Sequence, residues 1–252
     1  TVSAVDADAV ADATSGVVTA TIAAETATAL NTALVTNGDT TLNAYKLTVT
    51  GDDAAAAHLV ALDGKTSVTV NAAAINNIEG NGATGAADVK AAYDANANKT
   101  ISGLGNETVD LSAANDADAA LVNAINNFTT GLIKLDTITF ETGFGAKKEV
   151  FNLKQLGDLK GITGLVAIDA LNGKDDIINI SLKDLLEAND SKENIIFDIT
   201  GESSSDKVTL SDYSGWTVAD ATANLAQYVF TNSTTEQTIT IRIDTIDDTK
   251  VL

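Results

Sequence analysis

Strand-like and helix-like patterns alternate along the first half of this chain. Segments rich in Thr, Val and Ile, apolar at every second position, predict β-strands. These segments are residues 17–22, 46–50, 67–70 and 134–140. Ala-rich stretches with apolar residues at helical spacing predict short helices between them. These stretches are residues 23–34, 54–62, 85–96 and 116–128. Alternation of strand and helix favours parallel strands joined by crossovers, in stacked strand–helix units.

The second half of the chain has a mostly strand-like pattern. The predicted strands are residues 177–182, 194–199, 207–210, 226–231 and 237–243. One helical turn is predicted within residues 181–189, with Ser181 as N-cap and Asp184 in the N3 position of a capping box. In the first half, Asp52 or Asp53 is the predicted N-cap of the helix at residues 54–62.

Degenerate repeats organise the first half. Units at residues 2–22, 49–75 and 109–138 each open with a short strand and an Asp, Asn or Ser turn, and each continues through Ala-rich sequence to a β-branched strand. Thr14, Thr66 and Thr129 mark the same place in the three units. Near residues 143–148 Ala becomes rarer, whereas Ile, Leu and Lys become more frequent.

The predicted fold is therefore mainly β with short α-helices, an α+β class. An Ala/Thr/Asp-rich repeat domain is expected at residues 1–145. A β-rich domain, β-solenoid or sandwich-like, is expected at residues 146–252.

Composition and charge exclude several classes of function. The 252 residues include 35 acids and 15 bases, for a net charge of −20. Such a chain repels nucleic acid and anionic membrane surfaces, and it favours divalent cations. No apolar run is long enough to span a bilayer. Cys is absent, which excludes disulfides and thiolate metal sites. Met is absent too, so we expect a processed chain or a fragment.

The sequence contains few residues or motifs that are typical of catalytic sites. His58 is the single histidine and has no adjacent nucleophile motif, so neither a Ser-His-Asp triad nor an ordinary zinc site is expected. Carboxylate pairs of the glycosidase type arise by chance among so many acids. Tyr213 and Trp216 are the one candidate aromatic platform for a sugar, although a Trp in an aliphatic β layer more often fills the core.

Acidic turns are the candidate cation sites, because Ca²⁺ prefers carboxylate and carbonyl oxygens. The candidate calcium ligands are Asp175, Asp176, Asp206, Asp244 and Asp247. Asp and Asn are also ordinary turn residues, and turn formation or a solvated acidic end is the competing interpretation.

Two stretches resemble known families. The string GLGNETVDL at residues 103–111, with the surrounding repeats, resembles repeats of large secreted bacterial surface proteins. From Asp175 onward the chain resembles the C-terminal module of S-layer and type I-secreted, RTX-like adhesins. The matching elements are ISLKDLL, DITGESSSDKVTL, Trp216, the strand YVF and the terminal IRIDTI. Gly201-Glu202 replaces the Gly-Asp frequent in that family, and the tandem calcium nonapeptide is missing.

The resemblance implies a structural, non-enzymatic protein at the extracellular bacterial cell surface. Such a protein is an S-layer component or adhesin region that self-assembles or projects from the surface, with calcium as a candidate stabiliser. The implied partners are further copies of the chain, or surface polysaccharide or lipopolysaccharide, without membrane insertion. The alternative is a carbohydrate-binding adhesive module acting as a monomer.

Overall fold

The computed structural model describes residues 1–38, 40–140, 146–190, 194–201, 206–220 and 226–244. Strands make up about 38% of the chain and helices about 27%. The fold is thus mixed α/β with several sheets, and its richness in strands agrees with the predicted β-rich class. Two compact units form: residues 1–115 with 127–132, and residues 116–126 with 133–252. The division at residue 145 rests on composition and stays a prediction.

The described part of the first unit contains nine short strands, four α-helices and one π-helical turn. The strands are β1 (Thr19–Thr21), β2 (Glu25–Thr26), β3 (Ala44–Lys46), β4 (Val49–Thr50), β5 (Asp53–Ala55), β6 (Val70–Asn71), β7 (Asn77–Gly82), β8 (Ile101–Ser102) and β9 (Thr108–Ala114). The helices are α1 (Ala4–Asp12), α2 (Ala27–Asn31), α3 (Ala56–Asp63) and α4 (Gly85–Ala97), with the π-turn at Thr32–Thr36.

The second unit contains, among its described residues, two α-helices, two 3₁₀ turns and eleven strands. The helices are α5 (Ala119–Asn126) and α6 (Leu182–Glu187), and the 3₁₀ turns are Leu153–Leu156 and Leu159–Gly161. The strands are β10 (Ile133–Lys134), β11 (Thr137–Thr139), β12 (Val150–Asn152), β13 (Ile162–Thr163), β14 (Ala167–Ala170), β15 (Ile177–Ser181), β16 (Asn194–Gly201), β17 (Lys207–Ser211), β18 (Trp216–Asp220), β19 (Ala226–Asn232) and β20 (Thr238–Asp244).

Parallel pairing in register builds both units. In the first unit β5, β7 and β9 are parallel, which places Ala54, Ile78 and Val109 side by side in the core. In the second unit β11, β14, β16 and β20 are parallel, and isoleucines occupy the same buried position in all four strands. The core of each sheet is therefore built of columns of equivalent side chains from successive strands.

A second parallel sheet lies in the second unit. It has the order β12-β15-β17. Phe151, Ile178 and Val208 are in register and buried there. The sheet that contains β11, β14, β16 and β20 is larger and is not parallel throughout, because β19 pairs antiparallel with β20 and β18 pairs antiparallel with β19. Residues 217–219 of the outermost strand, β18, are exposed on both faces.

The repeat positions marked by threonine share a local structure. The hydroxyl oxygens of Thr14, Thr66 and Thr129 each accept a hydrogen bond from the backbone N–H two residues later, at 3.2, 3.1 and 2.9 Å. Thr66 and Thr129 also donate to a carbonyl of an earlier strand or loop, at 2.7 and 2.8 Å. This local structure gives a physical reason for threonine at each position, because a hydroxyl both accepts and donates.

The predicted helix caps have mixed outcomes. Ser181 accepts from the Asp184 N–H at 3.2 Å, as predicted for the N-cap of α6. The predicted capping box is wrong, because the Asp184 side chain does not return a bond to Ser181 and lies 3.8 Å from Lys154 Nζ instead. The prediction for Asp52 and Asp53 is wrong, because Asp53 begins β5 and Ala55 occupies the N-cap of α3 without a side-chain cap. Asp52 instead accepts from the Asn76 amide at 3.0 Å. The strand pairing between β5 and β7 outweighs the local capping preference.

Candidate functional site

An acidic row precedes the three strands of the smaller parallel sheet. Glu149, Asp176 and Asp206 each stand immediately before β12, β15 or β17. The first residues of these strands are paired in register. The three acids therefore come together at one edge of the sheet, although they are widely separated in sequence.

Each aspartate in the row accepts a hydrogen bond from the backbone of the preceding acid. The Glu149 N–H donates to Asp176 Oδ1 at 2.6 Å, and the Asp176 N–H donates to Asp206 Oδ1 at 2.8 Å. Asp176 and Asp206 are 0% and 1% exposed. Charge-assisted bonds of this kind satisfy backbone N–H groups at the start of the paired strands. The acidic row therefore has a structural role.

Two polar atoms at this edge are buried without a hydrogen-bond partner within the described residues. They are Asp176 Oδ2 and Asn172 Nδ2. Asn172 Oδ1, by contrast, accepts from the Lys174 N–H at 2.9 Å, which closes a turn through Gly173. Orphaned buried polar atoms are rare in native proteins, and they make this edge the strongest candidate site in the second unit.

The electrostatics of the row raise the pKa of Asp176. Burial raises the pKa of Asp176 above its ordinary value of 3.8, and the negative charge of Asp206 raises that pKa further. The Glu149 N–H, the Asn172 amide and the Lys148 ammonium act in the opposite direction. The Asn172 amide therefore lies close enough to this carboxylate to lower its pKa, although the pair falls outside hydrogen-bond geometry.

The structure brings together two of the five predicted calcium ligands, Asp176 and Asp206. Asp175 is exposed beside them. Asp244 ends β20 and borders a surface depression of about 270 Å³ that the Asp198–Arg242 ion pair also lines. Asp247 lies outside the described residues.

Ca²⁺ binds about six to eight oxygen ligands, and the carboxylates of Asp176 and Asp206 supply fewer than that. Within the described ranges, no group of three or more His, Asp and Glu side chains is arranged to hold a metal ion. Asp176 Oδ2 has no hydrogen-bond partner within the described residues, so it fits a cation ligand without giving up an existing bond. Calcium binding at the five residues stays a prediction.

A buried glutamate in the first unit was not predicted from the sequence. Glu107 is 1% exposed. Its Oε2 accepts from the Gly105 N–H at 2.7 Å, the Asn106 N–H at 3.1 Å and the Tyr93 hydroxyl at 3.1 Å. Burial raises the pKa of Tyr93, and the charge of Glu107 adds to that effect. The glycine-rich string at residues 103–107 is the sequence signal for this loop, and the carboxylate holds its shape.

The remaining candidate residues have ordinary surroundings. His58 Nδ1 lies 3.3 Å from the Thr28 hydroxyl. Tyr213 packs on Phe230 with ring centroids 6.0 Å apart. Trp216 starts the edge strand β18 and is only partly buried, so it does not fill the core completely.

Comparison with known proteins gives no relative: no family model, no curated protein and no solved structure matches the chain. None of the helices in the described ranges is both long and apolar enough to cross a membrane.

Proposed function

We propose that this chain is a structural protein of the bacterial cell surface, an S-layer component or a secreted adhesin region. The observation that carries the proposal is the register of the parallel strands. Equivalent isoleucines recur about every 30 residues between β11 and β16, within the period of about 20–50 residues that is typical of solenoids. Stacked units of this kind suit extension and assembly, and we propose a solenoid-like continuation of the stack.

Lateral assembly is supported by the edge strand β18. Among the described strands it is paired on one side only, to β19, and Val218 is 38% exposed. A strand edge without a partner is a template for adding another strand, and residues 216–219 of β18 carry no charge. Further copies of this chain are the proposed partner, and surface polysaccharide or lipopolysaccharide is the second.

Calcium is proposed as the stabiliser of this assembly. Asp176 and Asp206 are the described residues that would contribute to holding the ion, because both are buried at one sheet edge and one oxygen of Asp176 has no partner among the described residues. A bound divalent cation would offset the repulsion within a chain of net charge −20. The role is non-catalytic and the location extracellular, as the resemblance to type I-secreted adhesins implies.

Sedimentation velocity of the purified chain tests the proposal. We expect species larger than the monomer in Ca²⁺, fewer in Mg²⁺ and fewest in chelator. A monomer under all three conditions would refute self-assembly. Identical melting curves in Ca²⁺ and chelator would refute the calcium part alone.

A monomeric carbohydrate-binding module is the second candidate. The observation that favours it is the partial exposure of Trp216 near Tyr213. Glycan-array binding by the wild type that is lost in Trp216→Ala, with circular dichroism unchanged, would favour this candidate. Phe230→Leu, a change in the buried partner of Tyr213, is the control for nonspecific disturbance of this region.

A further inference from the structure

Three Asn-Gly pairs occur in the chain, at Asn37-Gly38, Asn81-Gly82 and Asn172-Gly173. In such a pair the backbone nitrogen of glycine can attack the side-chain amide carbon of asparagine, because glycine has no Cβ to block the approach. Asn37 and Asn81 are exposed, whereas Asn172 is 9% exposed and lies beside the acidic row. The three pairs therefore share the Asn-Gly dipeptide but differ in their surroundings.

The turn at Asn172 activates its side-chain amide in two ways. The Lys174 N–H donates to Asn172 Oδ1 at 2.9 Å, and this bond stabilises the negative charge that develops on that oxygen during attack. The leaving nitrogen, Nδ2, has no hydrogen-bond partner within the described residues, so its departure breaks no existing bond of that kind. Gly173 holds a φ of 74°, a left-handed conformation that favours glycine.

We propose that Asn172-Gly173 is a self-modification site of the folded protein. The Gly173 nitrogen forms a bond to Asn172 Cγ as the bond from Cγ to Nδ2 breaks. The proton of the Gly173 amide leaves with that nitrogen, which departs as ammonia. Water then opens the five-membered succinimide, giving aspartate or isoaspartate at position 172. The net reaction consumes one water, releases one ammonia and involves no oxidant.

The product adds a further carboxylate to the edge that already carries Glu149, Asp176 and Asp206. An additional carboxylate makes this edge a better set of oxygen ligands for a hard cation. The modification would then couple the age of the molecule to its affinity for calcium. This consequence rests on the proposed function, whereas the modification itself does not.

The test follows the three Asn-Gly peptides by mass spectrometry during incubation of the full chain at neutral pH. Digestion under mildly acidic conditions preserves the succinimide. We expect Asn172 to convert faster in the folded chain than in the same chain unfolded in urea. Asn37 and Asn81, whose side chains are exposed, should convert no faster in the folded chain. The proposal is overturned if folding slows conversion at Asn172 or leaves it unchanged.

Two variants separate the reaction from its consequence. Gly173→Ala should slow conversion at position 172 and leave the other two sites unchanged. Because the wild-type comparison needs no variant, a folding defect in Gly173→Ala would not remove the test. Asn172→Asp should show a larger rise in melting temperature with Ca²⁺ than freshly purified wild type. An equal rise would refute the link to calcium, while sedimentation of unconverted wild type still tests the proposed function separately.

Discussion

Replacing Asp176 with asparagine should stabilise the second unit at neutral pH. The amide oxygen of the new side chain could still accept the Glu149 N–H, which now donates to Asp176 Oδ1 at 2.6 Å. Loss of charge assistance in that bond costs about 1 kcal/mol, and the new amide nitrogen stays as unpaired as the oxygen it replaces, but removing the buried negative charge recovers about 1–2 kcal/mol. The like charge of Asp206 is relieved as well. We expect Asp176→Asn to raise the free energy of unfolding by up to about 1 kcal/mol.

The pH dependence of that difference has a defined sign. The folded protein raises the pKa of Asp176 above 3.8, so the native state binds a proton more readily than the unfolded chain. The wild type therefore gains stability as the pH falls through the raised pKa toward 3.8. The side chain introduced by Asp176→Asn does not titrate, and the advantage of the variant should shrink over that same interval.

Urea denaturation followed by Trp216 fluorescence measures this effect. Trp216 is the only tryptophan and lies in the same unit as Asp176, and chelator removes any contribution from bound cations. Asp175→Asn is the matched control, because Asp175 is the exposed neighbour, and its effect should stay within about 0.5 kcal/mol. Marked destabilisation by Asp176→Asn at neutral pH, or a difference that does not change with pH, would refute this reasoning.

Three further substitutions test the core packing, a helix cap and an ion pair of the second unit. Phe197→Ala empties a fully buried position on β16 and should cost about 3–5 kcal/mol in the same urea assay, whereas the exposed neighbour variant Ile196→Ala should cost far less. Ser181→Ala removes the N-cap of α6 and should cost about 1 kcal/mol, and a loss near zero would contradict the cap. Arg242→Gln breaks the half-exposed pair with Asp198 and should cost less than about 1 kcal/mol, with the difference vanishing in high salt. A salt-independent loss would show that the pair acts through packing instead.

Local patterns in the sequence predict much of the second unit. The alternation at residues 194–199 corresponds to β16, where buried and less buried residues alternate along the strand. Ser181 and Asp184 mark the start of α6, because a capping hydroxyl acts within four residues of its target. Such short-range chemistry needs no knowledge of the tertiary fold.

The candidate site depends on information that the sequence does not carry locally. Asp176 and Asp206 meet because β15 and β17 pair in one register, and a shift of that register would separate them. Glu107 is buried because Tyr93 and the loop around Gly105 fold over it. Long-range pairing of this kind decides which of the 35 acidic residues are buried. Composition alone does not distinguish the buried acids from the exposed ones.

Strand addition at β18 is the step on which the proposed assembly depends most. Val218→Lys places a charge on this edge strand, and charges on an edge oppose the addition of another strand. Val166→Lys is the matched control, because Val166 is exposed to a similar degree, 43% against 38%, and lies outside the strands.

Sedimentation velocity of both variants beside the wild type in Ca²⁺ is the most direct measurement. Assembly by the wild type and Val166→Lys, with Val218→Lys remaining monomeric, is the predicted result. Equal assembly of all three chains would contradict assembly through β18, and a wild type that stays monomeric would contradict the surface-assembly function itself.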